Sequence, residues 1–390
     1  MVDQASRQAE QLIGSATIKV VGVGGGGSNA VSRMYRDRIP GIEYITINTD
    51  AQALTRTQTP VRLRVGDRTA RGMGVGGDPE KGRECHEENR DEIKDILQGA
   101  DLVFVGAGMG GGTGTGGAPV VAAVAKEIGA LTIGVVTKPF AFEGSRRKRQ
   151  AEDGIRKLSA IVDTLIVIPN DRLMMMSDKK LSMDMAFRMA DDVLRQGVQS
   201  IAELILVPGE INLDVADVRA IMSNAGPAWM AIGRGSGPDR AVTAAHAAVE
   251  SPLLEVSIEG ARGVLFNVTG GADLTLAEVH EAAGIISGMV DPDANIIFGT
   301  VTDPKMENEV KITIIATGFP SAEANAEREQ EQQDSLRDII DDEESLALPP
   351  FLRHHRAARR RVLHTAVGRT TGNGNGVTHG NGIGHGNGRA

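Results

Sequence analysis

Short apolar runs alternate with stretches of helical periodicity between about residues 16 and 167 of the chain. Continuous apolar runs of this length are typical of strands buried on both faces, and their alternation with helices predicts a parallel sheet covered by helices. The predicted class is therefore α/β, with a Rossmann-like parallel-sheet domain first. We expect its strands at residues 17–23, 44–48, 102–105, 131–137 and 164–168.

A long helix follows this first sheet. Phe187, Ala190, Leu194, Ile201 and Leu204 recur at helical spacing and predict one helix over residues 183–206. A second α/β unit comes after it, in which a capping box at residues 275–278 opens a helix. In this unit we expect further helices at 214–222 and 239–249, and strands at 228–233, 264–269, 296–301 and 311–317.

The composition changes sharply after about residue 319. Residues 320–345 are acidic with few apolar side chains, which predicts a disordered linker. A short apolar island and then a basic, Gly/Asn-rich segment follow. The predicted organisation is an N-terminal extension (1–16), a first domain (17–182), a central helix (183–208), a C-terminal domain (209–319), the linker (320–345), the island (346–353) and the tail (354–390).

Charge and cysteine content limit the classes of protein to consider. The formal net charge of −9 argues against nucleic-acid binding by the folded part. A single cysteine, Cys85, excludes an intramolecular disulfide and suits a reducing cytoplasm. Residues 1–16 lack the apolar core of a signal peptide, and no run reaches the ~18 apolar residues of a membrane span. We therefore expect a cytoplasmic protein.

Two glycine-rich segments each follow a predicted strand. The richer one, Gly106–Gly117, lies between an apolar strand and an apolar helix, where side-chain-free backbone can close its N–H groups on an anion. Thr113 and Thr115 can add hydroxyl donors. A flexible linker has the same composition, but linkers are not expected between a buried strand and a helix. Phosphate is the expected guest.

The first segment, residues 22–29, could bind either a nicotinamide dinucleotide or the phosphates of another nucleotide. It contains Gly-x-Gly-x-x-Gly, with Asp50 near the position of a Rossmann acidic residue, so a nicotinamide dinucleotide site is one hypothesis. A dinucleotide site does not need the second, richer glycine segment. The chain also has no Gly-x-x-x-x-Gly-Lys-Ser/Thr motif, which excludes an ordinary P-loop with its lysine.

Two glycine segments without a P-loop lysine, the second reading Gly110-Gly-Gly-Thr-Gly-Thr-Gly116, resemble the tubulin/FtsZ GTPase family, and most of all its bacterial branch. The resemblance covers nearly all of residues 17–318. Supporting stretches are residues 24–30, 47–54, 136–140, 142–144, 162–172 and 190–197.

The resemblance implies a guanine-nucleotide site, with GTP or GDP and Mg²⁺ as cofactors and no metal-ligating protein residue assigned. Glu143 and Arg147 would meet the ribose and phosphate region, Asn170 and Asp192 the guanine edge, and Phe187 the base. The phosphates would be held by Gly24, Gly25, Gly26, Gly27, Ser28 and Asn29 in the first segment, and by Gly110, Gly111, Gly112, Thr113, Gly114 and Thr115 in the second.

The resemblance also implies that Asn212, Asp214 and Asp217 complete the site of a neighbouring subunit, where the carboxylates would polarise the attacking water. Hydrolysis would then need head-to-tail self-association into filaments, as in a division ring at mid-cell. The island Leu346–Arg353 resembles the family's peptide for division adaptors. The arginines after it would aid an indirect membrane attachment, or form a merely solvated tail.

Plainer explanations remain for several of these residues. Phe187 fits ordinary helix packing, Glu143 and Arg147 fit a solvated ion pair, and Asp214 fits a helix N-cap. A filament GTPase with a role other than division is also compatible with the motifs. The sequence departs from the family pattern at Val215, where Phe is frequent, at Asp78, where Asn is usual, and at Gly106 and Gly117, where Ala or Thr is commoner.

Overall fold

In the part of the chain that the computed structural model describes, residues 16–176, 182–207, 213–254 and 258–319, ten strands form one sheet. Their order is β3-β2-β1-β4-β5-β6-β7-β10-β8-β9. The strands are β1 (Ile18–Val23), β2 (Ile42–Asn48), β3 (Val61–Arg64), β4 (Leu102–Gly108), β5 (Leu131–Lys138), β6 (Thr164–Pro169), β7 (Gly226–Ser236), β8 (Gly263–Gly270), β9 (Asn295–Thr302) and β10 (Glu309–Thr317).

The strands from β3 to β7 run parallel, and β1 and β4 lie near the middle of this half. Every residue of β1 is buried, as expected for a strand covered by helices on both faces. The other half is mixed, because β10 runs antiparallel to both β7 and β8, whereas β8 and β9 are parallel. The predicted α/β class is therefore confirmed.

A single strand joins the two halves of the sheet. The first residues of β7, Gly226–Ala228, pair in parallel with Thr164–Ile166 of β6. The rest of β7, from Trp229 onward, pairs antiparallel with β10. The backbone of one strand thus carries the sheet from its parallel half into its mixed half.

Helices cover both faces of the parallel half. The helices are α1 (Gly24–Met34), α2 (Ala51–Thr55), α3 (Pro79–Glu88), α4 (Arg90–Leu97), α5 (Thr113–Glu127), α6 (Ser145–Ser159), α7 (Asn170–Leu173), α8 (Met183–Leu206), α9 (Val215–Met222), α10 (Arg240–Val249) and α11 (Leu276–Ser287).

Three apolar cores hold these layers together. One lies between the parallel strands, α1 and α8, and a second lies on the opposite face, under α4, α5 and α6. The third packs α10 and α11 on the mixed half. The bounds of α8 confirm the helix predicted over residues 183–206. Among the described residues, no helix combines the length and apolar character that a membrane crossing requires.

The predicted strands are all present, most of them a few residues longer than expected. One strand, β3, was not predicted. The glycine segments also differ from the expected loops, because α1 begins at Gly24 and α5 at Thr113, inside the two segments. The limits of the predicted domains stay predictions, and residues 1–15 of the extension, the linker, the island and the tail lie outside the described residues.

Helices α3 and α5 pack with their backbones almost in contact. A Cβ atom at Gly82 would lie 2.3 Å from the carbonyl oxygen of Gly112. A Cβ atom at Gly117 would lie 2.2–2.5 Å from three imidazole atoms of His86. This buried ring donates from Nδ1 to the carbonyl oxygen of Gly82 at 2.7 Å, and burial lowers the pKa of His86 to about 4. Gly117 therefore provides the space for a neutral imidazole.

We predict that Gly117→Ala and His86→Ala are coupled. The added methyl group cannot fit beside a ring held by a hydrogen bond, so Gly117→Ala should lower the free energy of unfolding by about 1–3 kcal/mol. His86→Ala alone leaves a cavity and should cost about 2–4 kcal/mol. In denaturant titration, the double variant should lose at least about 0.5 kcal/mol less unfolding free energy than the sum of the losses of the two single variants. Strict additivity would contradict this packing.

We also predict an acid sensitivity that comes from His86. Both the folded and the unfolded state carry a neutral ring above pH 6.5, whereas below it the unfolded state takes up the proton first, because the folded pKa is about 4. Between these two values the ring should therefore remove about 3 kcal/mol from the free energy of unfolding. The difference in unfolding free energy between the parent and His86→Ala, measured from pH 7 to pH 4, should change by this amount. A pH-independent difference would contradict the assignment.

Candidate functional site

The carboxyl ends of β1 and β4 lead directly into two helices. α1 begins at the residue after β1, and α5 begins a few residues after β4. The two strands are paired neighbours, with Gly22 opposite Gly106, so the N-termini of both helices lie side by side. The first backbone N–H groups of each helix lack a partner within the helix, and the positive ends of both helix dipoles meet here. This arrangement can bind an anion.

Several glycines are required because backbone packs on backbone at this point. A Cβ atom at Gly27 would lie 2.2 Å from the carbonyl oxygen of Gly106. One at Gly24, whose φ is +71°, would lie 2.6 Å from the backbone nitrogen of Gly114, and one at Gly114 would lie 2.9 Å from the carbonyl oxygen of Gly108. These residues bring α1, β4 and α5 together, whatever they bind.

Two other glycines face open space. A Cβ atom at Gly25 or at Gly111 would meet no atom within 4 Å. Ser28 is buried, and its hydroxyl oxygen has no hydrogen-bond partner in the described part of the chain. A buried polar atom of this kind calls for a ligand or an ordered water. The open space beside Gly25 and Gly111 lies at the helix N-termini and fits an oxygen-rich group such as a phosphate.

The two threonines of the second glycine segment make contacts within the protein. The Thr115 hydroxyl accepts from the backbone N–H of Gly110 at 2.8 Å and closes the turn before α5. The Thr113 hydroxyl lies 2.7 Å from that of Thr49, in the connection after β2. Both side chains shape the turn, and their predicted role as donors to a phosphate stays a prediction.

Residues 72–78 form a turn that packs on the same glycines. A Cβ atom at Gly112 would lie 2.9 Å from the backbone nitrogen of Asp78. The Asp78 side chain caps α3 and accepts from the N–H groups of Glu80 at 3.0 Å and Lys81 at 3.4 Å. Its carboxylate therefore faces the start of a helix, a position that Asp and Asn fill about equally well.

Glu143 and Arg147 lie beside the second glycine segment. Glu143 Oε1 accepts from the backbone N–H of Phe140 at 3.0 Å, and Oε2 pairs with Arg147. A Cβ atom at Gly110 would lie 2.8 Å from the carbonyl oxygen of Arg147, so this backbone packs on the turn. The Arg147 side chain is 53% exposed, and such an ion pair contributes little stability by itself.

An aromatic cluster stands next to this pair. The Phe140 and Phe142 rings stack at 5.0 Å between centroids, and Phe187, the fifth residue of α8, meets the Phe140 ring edge-on at 5.5 Å. Phe187 is 39% exposed. The alternative of plain core packing therefore describes only part of this ring, and its exposed part is accessible to a planar ligand.

Asn170 and Asp192 lie on α7 and α8. The buried Asn170 Oδ1 has no hydrogen-bond partner in the described part of the chain. Asp192 is half exposed and accepts from Arg195 at 2.7 Å and from Gln196 at 2.6 Å. It opens onto a cavity of about 550 Å³ between α1 and α8. The lining of this cavity also includes Arg33, Arg36, Arg188 and Asp191.

The sequence did not single out Arg33 and Asp191. Arg33 Nη1 lies 3.0 Å from Asp191 Oδ2, in a pair that joins α1 to α8. Burial raises the pKa of Asp191 to about 6, and Arg33 partly opposes that rise. Arg33 lies one helical turn beyond Asn29, and this spacing is the signal that could have placed it beside the predicted site.

Asp214 and Asp217 lie at the opposite end of the parallel strands. Asp214 caps α9, where its Oδ1 accepts from the Asp217 N–H at 2.8 Å and its own N–H donates to Asp217 Oδ2 at 3.4 Å. Next to this cap, the backbone N–H of Leu213 donates to the carbonyl oxygen of Leu204, and the Leu206 side chain lies near Gly41, just before β2. Further along α9, Arg219 donates to the carbonyl oxygen of Asp101, just before β4.

These contacts place both ends of α9 at the amino edge of the sheet, and the glycine turns lie at the carboxyl edge. At ~3.3 Å per residue, a strand as long as β4 separates the two edges by roughly 20 Å. The predicted carboxylates and glycine turns are therefore not brought together within one chain. Asn212 lies outside the described residues.

Within residues 16–176, 182–207, 213–254 and 258–319, no three His, Cys, Asp or Glu side chains come together as a metal site. Mg²⁺ that accompanies a nucleotide commonly keeps several waters and takes only one or two protein carboxylates, so it does not require such a cluster.

Comparison with known families identifies both parts of the chain. Residues 17–178 match the model of the tubulin/FtsZ family GTPase domain. Residues 226–320 match the model of the FtsZ family C-terminal domain. The first match covers the glycine turns, Glu143, Arg147 and Asn170, and the second begins at the first residue of β7.

Solved structures agree with this assignment. An FtsZ dimer from M. jannaschii is 43% identical, with a TM-score of 0.77, over 81% of this chain and 92% of that one. A point mutant of M. jannaschii FtsZ is 42% identical, with a TM-score of 0.77, over 82% of this chain and 96% of that one. The chain belongs to the tubulin/FtsZ family. CetZ1 from Haloferax volcanii shares the fold, with a TM-score of 0.69 at 22% identity over 82% of this chain and 99% of that one.

Membership in the tubulin/FtsZ family decides between the two nucleotide hypotheses for the glycine segments. It is a family of GTPases that bind GTP and GDP. Family membership therefore favours a guanine nucleotide over a nicotinamide dinucleotide, and the part that residues 22–27 would play in binding it stays a prediction.

We predict that Gly111→Ala separates folding from nucleotide binding. A methyl group at Gly111 meets no protein atom, so the thermal midpoint without nucleotide should stay within about 2 °C of the parent. The same methyl group occupies the space beside the helix N-termini, so the affinity for a fluorescent GDP analogue should fall at least about tenfold. Gly27→Ala is the contrast, because its methyl group would clash with Gly106 and should destabilise the fold itself. Unchanged GDP affinity in Gly111→Ala would contradict this position for the phosphates.

Proposed function

We propose that this chain is a GTPase that assembles head to tail into filaments of the bacterial division ring, and that each active site is shared by two subunits. The observation that carries the proposal is the placement of the two predicted half-sites. The glycine turns lie at the carboxyl edge of the sheet, and Asp214 and Asp217 lie at its amino edge. Neither half can reach the other within one chain, but the carboxyl edge of one subunit can meet the amino edge of the next.

In this proposal the first half-site binds GTP. The phosphates occupy the space beside Gly25 and Gly111, where free N–H groups of α1 and α5 converge. Asn170 and Asp192 hydrogen-bond the guanine edge, Phe187 lies against the base, and Glu143 and Arg147 meet the ribose and phosphate region. The remaining predicted residues, from Gly24 to Asn29 and from Gly110 to Thr115, line the same turns.

The second half-site supplies the carboxylates. One oxygen of Asp214 and one of Asp217 take part in the reciprocal cap of α9, and the other oxygen of each can accept from water. Both side chains are exposed at the surface of the subunit. They can therefore orient a water towards the γ-phosphate of the next subunit, with Asn212 assisting. Mg²⁺, held mainly by the phosphates, would neutralise the charge that develops there.

Assembly follows from this geometry. A contact between two different faces is heterologous, and repeating it gives an open-ended filament. The nucleotide face presents exposed apolar side chains, including Phe142 (55%), Met175 (71%) and Met183 (62%), as a surface meant for a protein contact does. The M. jannaschii FtsZ was solved as a dimer. Self-association should therefore activate hydrolysis.

The division role rests on the C-terminal island. Residues 346–353 resemble the peptide through which division proteins of this family meet their adaptors, and we propose the same role here, in the cytoplasm at mid-cell. The arginines that follow would strengthen an indirect attachment to the membrane. A filament GTPase with another role would share every described feature of the fold. Deletion of residues 346–353 distinguishes a division role from such another role, because only the division role depends on this peptide.

Light scattering recorded in parallel with phosphate release, after addition of GTP and Mg²⁺, tests the proposal. Scattering should rise with GTP, phosphate should follow, and turnover per subunit should increase with protein concentration, because the site needs two subunits. GTP should raise the thermal midpoint of the protein and NAD should not. Phosphate release that is proportional to protein concentration, without scattering, would reject the shared site.

Asp214→Asn tests the catalytic loop separately from its structural role. Asn caps a helix about as well as Asp, so folding, GTP binding and assembly should be preserved. Turnover in the assembled state should fall about 10²–10⁴-fold, because the charge that polarises the water is lost. Asp214→Ala should lose both the cap and turnover. Turnover at the parent rate in Asp214→Asn would leave Asp214 as a helix cap only.

A further inference from the structure

Asp163 is a buried carboxylate at the amino edge of the sheet. It is 3% exposed and immediately precedes β6. Its Oδ1 accepts from Lys126 Nζ at 2.8 Å and from the backbone N–H of Asn224 at 3.3 Å, and its Oδ2 accepts from the N–H of Thr132 at 2.9 Å. Its carbonyl oxygen also accepts from the N–H of Gly226 at 2.9 Å. Three donors therefore converge on one side chain.

These donors come from different parts of the molecule. Lys126 lies in the last turn of α5, whose first turn belongs to the second glycine segment. Asn224 lies in the turn between α9 and β7 and Gly226 is the first residue of β7, with φ of +52° and +71°, respectively. The neighbouring Thr164 hydroxyl donates to the carbonyl oxygen of Met222, the last residue of α9. Asp163 thus connects the far end of the nucleotide-binding helix to the end of the helix that carries Asp214 and Asp217.

A stabilising role alone would explain the pair formed by the buried Asp163 carboxylate and the partly exposed Lys126, but the position of Asp163 indicates more. α9 has eight residues, or about 12 Å at 1.5 Å per residue, and its N-terminal cap carries the two carboxylates. Its C-terminal end is held by the contacts around Asp163, and its exposed side by Arg219. A shift or tilt of that end would move the cap, and a misplacement of about 1 Å is enough to cost up to about 10²-fold in a reaction that depends on orientation.

We propose that Asp163, with Lys126, is a positioning residue for GTP hydrolysis in the neighbouring subunit, since it fixes the orientation of α9. This inference rests on the proposed shared site. Asp163 itself touches neither nucleotide nor water. Its contribution is to the half-site that a subunit offers to its neighbour, and the nucleotide half-site of its own chain does not depend on it.

Asp163→Asn and Lys126→Met test this role. Asn keeps the shape of the side chain and removes the charge that holds Lys126, so the chain should bind a fluorescent GDP analogue within about twofold of the parent and assemble with GTP. Turnover per assembled subunit should fall about tenfold or more, as expected for a misplaced reacting group. Lys126→Arg should retain most of the turnover. Lys94→Met is the matched control, because Lys94 pairs with Glu127 at 2.5 Å in the same turn of α5 but does not contact the α9 connection.

Mixed filaments distinguish positioning from general destabilisation. Asp192→Ala should disable the nucleotide half-site of a subunit and leave its Asp214/Asp217 half-site intact. Asp163→Asn should do the reverse. In an equal mixture of the two variants, a junction therefore works only where the nucleotide half-site comes from an Asp163→Asn subunit and the Asp214/Asp217 half-site comes from an Asp192→Ala subunit. Random mixing makes about a quarter of the heterologous junctions of this kind, and turnover should recover to about that fraction of the parent rate. A mixture of Asp163→Asn with Asp214→Asn should show no recovery, because both variants affect the same half.

The outcomes of these mixtures test the shared active site and the positioning role of Asp163 separately. If Asp214→Asn recovers with Asp192→Ala and Asp163→Asn does not, the shared site stands and the positioning role of Asp163 is rejected. Parent-like turnover in both Asp163→Asn and Lys126→Met also rejects it. If Asp214→Asn and Asp192→Ala fail to restore each other although both assemble, the shared site itself is rejected. Equal loss of GDP affinity and turnover in Asp163→Asn would show a structural role only.

Discussion

The site depends on one steric constraint, the absence of side chains where α1, β4 and α5 meet. Gly27 approaches the carbonyl of Gly106, and Gly24 approaches the backbone of Gly114, at distances that leave no room for a Cβ atom. Because of these contacts, two helix N-termini lie side by side at the ends of two paired strands. The turn at residues 72–78 and the segment from Glu143 to Arg147 then pack on the same glycines. The positive ends of the helices, the open space and the surrounding side chains all follow from this approach of backbone to backbone.

The sequence predicted the elements whose signal is local. The central parallel strands are continuous apolar runs, and α8 shows an apolar stripe over its whole length, so periodicity was sufficient for both. β3 was missed because it is a short edge strand in which arginines alternate with partly buried residues. The start of α1 was missed for a different reason. A run of glycines is a poor helix former, and only the packing of these residues against β4 and α5 makes them the first turn of a helix.

The site was predictable to the extent that strand ends and family motifs define it. Parallel strands carried the glycine segments and the segment with Glu143 and Arg147 to one edge, and the resemblance named the residues there. Contacts between distant elements could not be predicted. The pairing of Arg33 with Asp191 depends on how α1 and α8 pack, and the donors around Asp163 come from three parts of the chain that no local pattern connects. Asp214 and Asp217 were expected to serve another subunit, and their distance from the glycine turns gives a physical reason for that expectation.

The way β7 joins the two halves of the sheet has a mechanical consequence. On one side β7 matches β10 over eight residue positions, and on the other it matches β6 over three, one of which is Pro227, which has no backbone N–H to donate. The pairing that joins β7 to the parallel half of the sheet is therefore short. Under a load that pulls the halves apart, or in a motion that rotates one against the other, the β6–β7 seam has the fewest backbone hydrogen bonds to lose. Asp163, which binds the backbone N–H groups of Asn224 and Gly226, lies at the end of this short seam.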